Sequence, residues 1–250
     1  MKILSVEHVS KSFGNKKILD DVSFSLNAGE CLGIVGRSGC GKSTMVKIIA
    51  RLLEADNGQI ILDGEDITHK KNLREIYKKM QMIFQMPEDS FNPRQTLGWS
   101  IGEPLRNHHF NNIDDKIKNL LIEVGLTAEF FKKYPHEVSG GECQRAAIAR
   151  AIALSPRLLI CDEATSALDV TVQSQIIKLL KRLCTKKNIA CLFITHDLAL
   201  LPQIANKVII MHGGKIVEEG ATNDVINNSK SEFTKELMSA DFFNMLEYHS

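Results

Sequence analysis

The chain has 250 residues, 44% of them hydrophobic, and carries 31 Lys plus Arg against 30 Asp plus Glu. That length and apolar share suit one globular domain with subdomains and a substantial core. The balanced charge leaves no bulk field that would favour nucleic acid or an anionic membrane. The start, Met1-Lys2-Ile3-Leu4-Ser5-Val6-Glu7, has no long apolar core and no cleavage signal. No apolar run approaches the ~18 residues of a membrane-spanning helix, so a soluble, cytoplasmic chain is expected. The six cysteines form no C-x-x-C pair and mostly sit in apolar runs. They read as reduced core thiols rather than a disulfide frame or zinc site.

Residues 3–9 and 22–26 read as strands, with Phe13-Gly14-Asn15 as a turn between them. Glu30 to Val35 is a short buried strand, and Met45 to Leu53 is helical. Gln59 to Leu62, closed by Asp63-Gly64, adds a further strand, so a small antiparallel sheet is expected here. Met80 to Phe84 is a buried strand ending at Gln85, followed by a break with Pro87, Pro93 and Gly98.

The pattern then turns helical from about Ser100 to Ala153. Ile117, Leu120, Leu121 and Val124 recur at helix spacing, and Gly125 closes that segment. A second helix spans Glu142 to Ala153. Three near-continuous apolar runs follow: Leu158–Cys161, Ala190–Ile194 and Val208–Met211. Such runs fit parallel strands covered by helices on both faces. Val172 to Cys184 supplies one covering helix, with Ile176, Ile177, Leu180 and Leu183 inward. Met211 to Val217 reads as a hairpin. The tail holds Phe233, Leu237, Phe242 and Phe243, and reads as a helix packed on the body.

Between the strand at Glu30–Val35 and its following helix stands Gly36-Arg37-Ser38-Gly39-Cys40-Gly41-Lys42-Ser43-Thr44. It fits G-x-x-x-x-G-K-[ST], a loop whose glycines turn backbone N–H groups onto a polyphosphate. The helix start adds unpaired N–H groups and a positive dipole end. Lys42 is expected to reach the β- and γ-phosphates, and Ser43 to offer its hydroxyl to Mg²⁺. Cys40 lies inside this loop, so thiol reagents are expected to inhibit by labelling it, and MgATP to protect.

Leu158 to Cys161 ends in Asp162 and Glu163, where a magnesium-associated acid and a water-polarising acid belong. Thr195-His196-Asp197 ends the next strand on the same carboxyl edge, where such sheets bind ligands. His196 is read as a γ-phosphate or water contact, and Gln85 as a ligand or water-positioning group. Ser139-Gly140-Gly141 opens a helix and makes a second anion-binding nest. One chain thus carries two phosphate-seeking sites, which a single ATP cannot easily need together.

Taken together these residues resemble the ATP-binding subunits of ABC transporters over nearly the full length. The Walker A motif is Gly36 to Thr44, the adenine-stacking aromatic matches Phe13, and the Q-loop glutamine matches Gln85. Ser139-Gly140-Gly141-Glu142 is similar to the signature motif, with Glu142 in place of the usual Gln. Leu158 to Asp162 matches Walker B, Glu163 the catalytic acid, Ser166 to Asp169 the D-loop, and His196 the switch histidine. The resemblance implies an α/β fold: a P-loop NTPase with a mixed, mostly parallel sheet and an N-terminal antiparallel β subdomain. It also implies a helical subdomain inserted at about residues 86–156. The cassette is expected over 1–227 and a C-terminal helical tail over 228–250.

The same resemblance implies ATP hydrolysis with Mg²⁺ held by Ser43, Gln85 and Asp162, partly through water. Two cassettes would pair head to tail, each ATP meeting one chain's phosphate loop and the partner's Ser139-Gly140-Gly141. The implied partners are a second ABC ATPase, more readily a different chain than a copy, two transmembrane permeases and an extracytoplasmic solute-binding protein. The expected place is the cytoplasmic face of the membrane. Phe84 to Thr96, Tyr134 to Arg145 and Ser231 to Leu237 resemble the oligopeptide, dipeptide and nickel importers. The short tail without a cysteine cluster is more similar to the nickel-type second ATPase, which favours nickel or a metal chelate over peptide. The segment from Gln85 to about Arg106 is the expected permease dock. Phe91, Leu97 and Trp99 would line it, while Ile101 packs the helical subdomain. The rivals are a soluble ABC ATPase of DNA repair or translation and a non-hydrolysing ATP-binding module. The absence of a coiled-coil insertion, zinc module or second cassette opposes the first. Glu163 and His196 oppose the second.

Overall fold

In a computed structural model the described backbone covers residues 1–247, with side chains described through residue 239. Phe242 and Phe243 therefore fall outside the described side chains. Along the chain come strands β1 (Lys2–Phe13), β2 (Lys16–Asn27) and β3 (Cys31–Val35), then helix α1 (Lys42–Ile49). Next are β4 (Asn57–Leu62), β5 (Glu65–Asp66), α2 (Arg74–Lys79) and β6 (Met80–Ile83). Helices α3 (Leu97–Asn107), α4 (Ile113–Glu123) and α5 (Gly140–Ile152) follow without an intervening strand. The chain then alternates through β7 (Leu158–Asp162), α6 (Val170–Lys187), β8 (Ala190–Ile194) and α7 (Leu201–Ile204). It ends with β9 (Lys207–His212), β10 (Lys215–Ala221), α8 (Thr222–Asn227) and α9 (Glu232–Glu247).

The strands form two sheets. One is antiparallel, in the order β2-β1-β4-β5. The other runs β10-β9-β3-β8-β7-β6 and is parallel except for its edge strand β10. This division follows from the side chains. In β2 apolar Val22, Phe24 and Leu26 are buried and alternate with exposed neighbours, as a one-faced sheet requires. By contrast β3 and β8 are buried at every position, because helices cover one face of their sheet and α1 with the antiparallel sheet covers the other. All six cysteines are unpaired and buried.

The sheets sit over two apolar clusters. One joins the antiparallel sheet to α1 and the near face of the parallel sheet. The other joins the far face to α3–α6 and reaches Leu237 of α9. Phe91 and Leu97 belong to that second core, at 5% and 0% exposure, as does Ile101. The expectation that Phe91 and Leu97 line a docking surface is therefore corrected. Leu97 opens the inner face of α3 behind its Thr96 cap, and the Arg150 guanidinium covers the Phe91 ring at 4.4 Å. Only Trp99 of the four stands exposed. Among the described residues no helix is long and apolar enough to cross a membrane.

Candidate functional site

The parallel strands β3, β6, β7 and β8 all end on one edge, which gathers their following loops. After β3 the chain enters the glycine turn. Gly39 and Gly41 hold φ of 77° and 111°, in the region that L side chains rarely adopt. Gly36 has no room for a side chain. A Cβ there would lie 2.3 Å from the Met211 carbonyl oxygen and 2.6 Å from Cys40 Sγ. The turn is also tied from outside, where the Gly214 N–H donates to the Cys40 carbonyl at 3.1 Å. The β9–β10 hairpin thus braces the loop that β3 delivers.

Helix α1 opens at Lys42 behind Gly41, with no side-chain cap for its first N–H groups. Those unpaired donors and the dipole end form an anion seat. The Lys42 ammonium is buried and donates to the carbonyls of Gly36 at 2.5 Å and Arg37 at 3.3 Å. Phe13, Ser38, Gly39, Lys42, Ser43 and Thr44 line a cleft of about 490 Å³. Its far wall holds Glu163 and His196. The Phe13 ring stands half exposed at the end of β1. Lys16 and Ile18 also line the cleft, although neither carries a motif.

Two loop residues do not face this cleft as the sequence suggested. Cys40 is only 7% exposed, wedged against Gly36 and 4.0 Å from Lys42 Nζ. Rapid labelling of its thiol is therefore not expected, which corrects the accessibility read from the motif. Arg37 turns outward to α9: its guanidinium lies 5.4 Å from the Phe233 ring and 3.8 Å from the Glu236 carboxylate.

At the end of β7, Asp162 pairs in register with Ile194 of β8. Burial and the neighbouring Glu163 charge push the Asp162 carboxyl above the usual carboxylate range, against the pull of Lys42 and Lys47. Glu163 has φ of 49°, a left-handed conformation that costs a non-glycine residue about 1–2 kcal/mol. Its backbone is fixed on both sides. Its N–H donates to the Ile194 carbonyl at 3.1 Å, and its carbonyl accepts from Ser166 N–H at 3.1 Å and Ser166 Oγ at 3.0 Å. Glu163 Oε1 stands 3.6 Å from His196 Nδ1. Gln85 is exposed two residues past the end of β6 and does not line the cleft.

Ser139, Gly140 and Gly141 lie apart from the cleft, at the start of α5. Ser139 caps this helix and Glu142 completes a capping box. The Glu142 carboxylate accepts from Ser139 N–H at 2.8 Å and from its hydroxyl at 3.0 Å. The Ser139 N–H holds that carboxyl below its ordinary range. Either Glu or Gln can fill this position of a capping box, so the departure from the usual motif keeps the turn intact. The carboxylate's contribution to stability is present above the ordinary carboxylate range and lost as pH falls through its lowered value. Glu142→Gln should preserve the helix start while removing that acid-sensitive part. Thermal melts of both forms from neutral pH down to about pH 2 check it.

A fully buried polar side chain was not singled out by sequence reasoning. Gln144 of α5 donates its Nε2 to the Ala164 carbonyl at 2.6 Å. The signal was an amide lying between buried Cys143 and Ala146 on a helix otherwise packed with alanine and isoleucine.

A phosphate-loop cassette, with its glycine turn opening a helix in the cleft and a capped serine-glycine helix start apart from it, is the class that this fold and site define. Residues 19–166 match the ABC transporter family. The chain is 42% identical to the oligopeptide transport ATP-binding protein OppF of Haemophilus influenzae, over 95% of its length and 77% of the relative's. It is 44% identical to OppF of Salmonella typhimurium, over 90% and 69% of the two chains. It is also 44% identical to the glutathione import ATP-binding protein GsiA of Pectobacterium atrosepticum, over 89% of this chain and 36% of that one. The ADP conformation of MJ1267, an ATP-binding cassette of an ABC transporter, superposes with a TM-score of 0.82 at 27% identity. That superposition covers 95% of this chain and 98% of the other. The chain belongs to the ABC transporter family as one of its ATP-binding, ATP-hydrolysing subunits.

Proposed function

We propose that this subunit drives import of short peptides across the cytoplasmic membrane. The observation that carries the motor reading is the separation of its two anion seats. The phosphate-loop cleft and the Ser139 turn occupy different places on one chain. Both are used if a second cassette packs head to tail, each nucleotide lying between one loop and the other's turn. ATP then favours the closed pair, and only that difference in affinity can do conformational work. Relatives named for oligopeptide transport and glutathione import favour peptide cargo over the nickel or metal chelate expected from the short tail.

The residues divide the chemistry as follows. Phe13 offers its exposed ring to the adenine. The loop from Gly36 through Arg37, Ser38, Gly39, Cys40 and Gly41 to Thr44 presents backbone donors, and Lys42 neutralises phosphate charge. Ser43 and Asp162, with Gln85 after movement of its loop, would hold Mg²⁺. The donor set fits a hard cation: a hydroxyl, an amide oxygen and a carboxylate whose burial leaves its charge under-compensated. The ion, when bound, supplies charge neutralisation of the phosphates. Glu163 accepts the proton of the attacking water, and His196 beside it steadies the γ-phosphate end. Ser139, Gly140 and Gly141 close on the partner's nucleotide.

The cassette body spans 1–227 on this reading, with 86–156 as the inserted helical subdomain. Leu52, Met82 and Phe84 line an apolar groove of about 290 Å³ immediately before Gln85. This groove is the permease dock, with exposed Met86 and Trp99 as further candidate contacts. The complex is completed by two permeases, a different second ATPase and an extracytoplasmic binding protein, with this chain on the cytoplasmic face. Purification from membranes under mild detergent tests this. A multispanning permease should accompany the chain, and the reconstituted complex should take up a labelled oligopeptide only with ATP. Uptake of nickel instead of peptide would reassign the cargo. Purification without any membrane partner would remove the transport role.

A further inference from the structure

The geometry points to Gln144 as a positioning residue that ties the Ser139 turn to Glu163, and so couples the two nucleotide sites of the assembled pair. The inference rests on the head-to-tail reading above. Gln144 sits on α5, one turn past Ser139, with no measurable exposure. Its Nε2 donates to the carbonyl of Ala164, the residue directly after Glu163. Its Oε1 is buried without a hydrogen-bond partner among the described residues.

A buried amide with one half unsatisfied is a poor device for stability. The orphan oxygen loses its water and gains nothing, so what the amide contributes is the one bond that satisfies the buried Ala164 carbonyl. Its placement suits another purpose. Glu163 holds a left-handed backbone, a conformation that persists only where the surroundings impose it. Ile194 restrains the Glu163 N–H and Ser166 its carbonyl, which leaves the next peptide, at Ala164, to Gln144. The bond therefore joins a helix whose start serves one nucleotide to a strained turn whose carboxylate serves the other. When the partner's nucleotide draws the Ser139 turn inward, α5 moves Gln144, and the Glu163 turn responds. The left-handed turn is thus the element on which contacts from both sites converge.

The test compares Gln144→Met, and Gln144→Leu as a second apolar replacement, with the parent in the reconstituted complex. Four quantities are read: melting temperature, equilibrium nucleotide affinity, turnover and the Hill coefficient for ATP. Expected are a melting temperature lowered by a few degrees, because the Ala164 carbonyl loses its donor, and unchanged affinity of the separate subunit. Turnover should fall about tenfold and the Hill coefficient move towards one. A merely structural Gln144 would instead lower the melting temperature while the Hill coefficient stayed parental, which overturns the proposal. Parental turnover and cooperativity in both variants overturn it as well. Glu163→Gln in the same assay separates the two levels of the argument. If that variant still turns over, the hydrolysis reading itself fails. If it is silent while both Gln144 variants behave as the parent, only the coupling fails.

Discussion

Glu163→Gln is expected to bind nucleotide as tightly as the parent and to lose turnover by about 10²- to 10⁴-fold, the usual contribution of a positioned general base. The substitution keeps the side chain's size and leaves the backbone restraints in place, because Ile194 and Ser166 bond the Glu163 peptide and not its carboxylate. What disappears is the ability to accept a proton beside His196, 3.6 Å away. Phosphate release under saturating MgATP, together with equilibrium nucleotide binding, reads the two effects separately. Near-parental turnover in the assembled complex would remove Glu163 from the role.

Asp162→Asn is expected to stabilise the metal-free protein while it abolishes magnesium-dependent turnover. The sign follows from linkage. The folded-state value of Asp162 lies above its unfolded value because burial and Glu163 disfavour the charge. The ionised side chain therefore costs stability, fully so above the raised value. That cost fades as pH falls and is gone below the ordinary Asp range. Asn removes the charge at neutral pH and with it the penalty. A bound divalent ion offsets the same penalty in the native chain, so Mg²⁺ should raise the melting temperature of the parent more than that of the variant. Melts with chelator and with Mg²⁺, beside a turnover assay, decide it. A lower melting temperature in chelator with intact turnover would contradict the assignment.

Much of this arrangement was legible because the chemistry needs particular residues next to one another in the chain. Gly36 to Thr44 is a continuous stretch in which each residue type has a steric or electrostatic reason. The apolar runs ending in Asp162 and before His196 announced parallel strands sharing an edge. Features formed by distant segments were not legible. Nothing in the Cys40 neighbourhood of the chain says that its sulfur lies against Gly36 or that the hairpin beyond Met211 bonds its carbonyl. Phe91 and Leu97 look the same in sequence whether they pack inward or face a partner, and the helical core decided the matter. Arg37 was read with its loop, but its side chain answers to Phe233 and Glu236 of the far tail. Gln144 was hidden for a related reason: its partner is a backbone carbonyl, which no side-chain pattern reveals.

The claim on which the rest depends is that nucleotide lies between two chains. A cryo-EM reconstruction of the complete transporter, carrying Glu163→Gln and loaded with MgATP, tests it most directly. The phosphates should touch Lys42 and Ser43 of this subunit and the serine-glycine turn of the facing cassette, while Ser139 to Gly141 of this subunit meet the other nucleotide. A reconstruction with ATP on the phosphate loop and Ser139 to Gly141 in solvent, remote from every nucleotide, would contradict it.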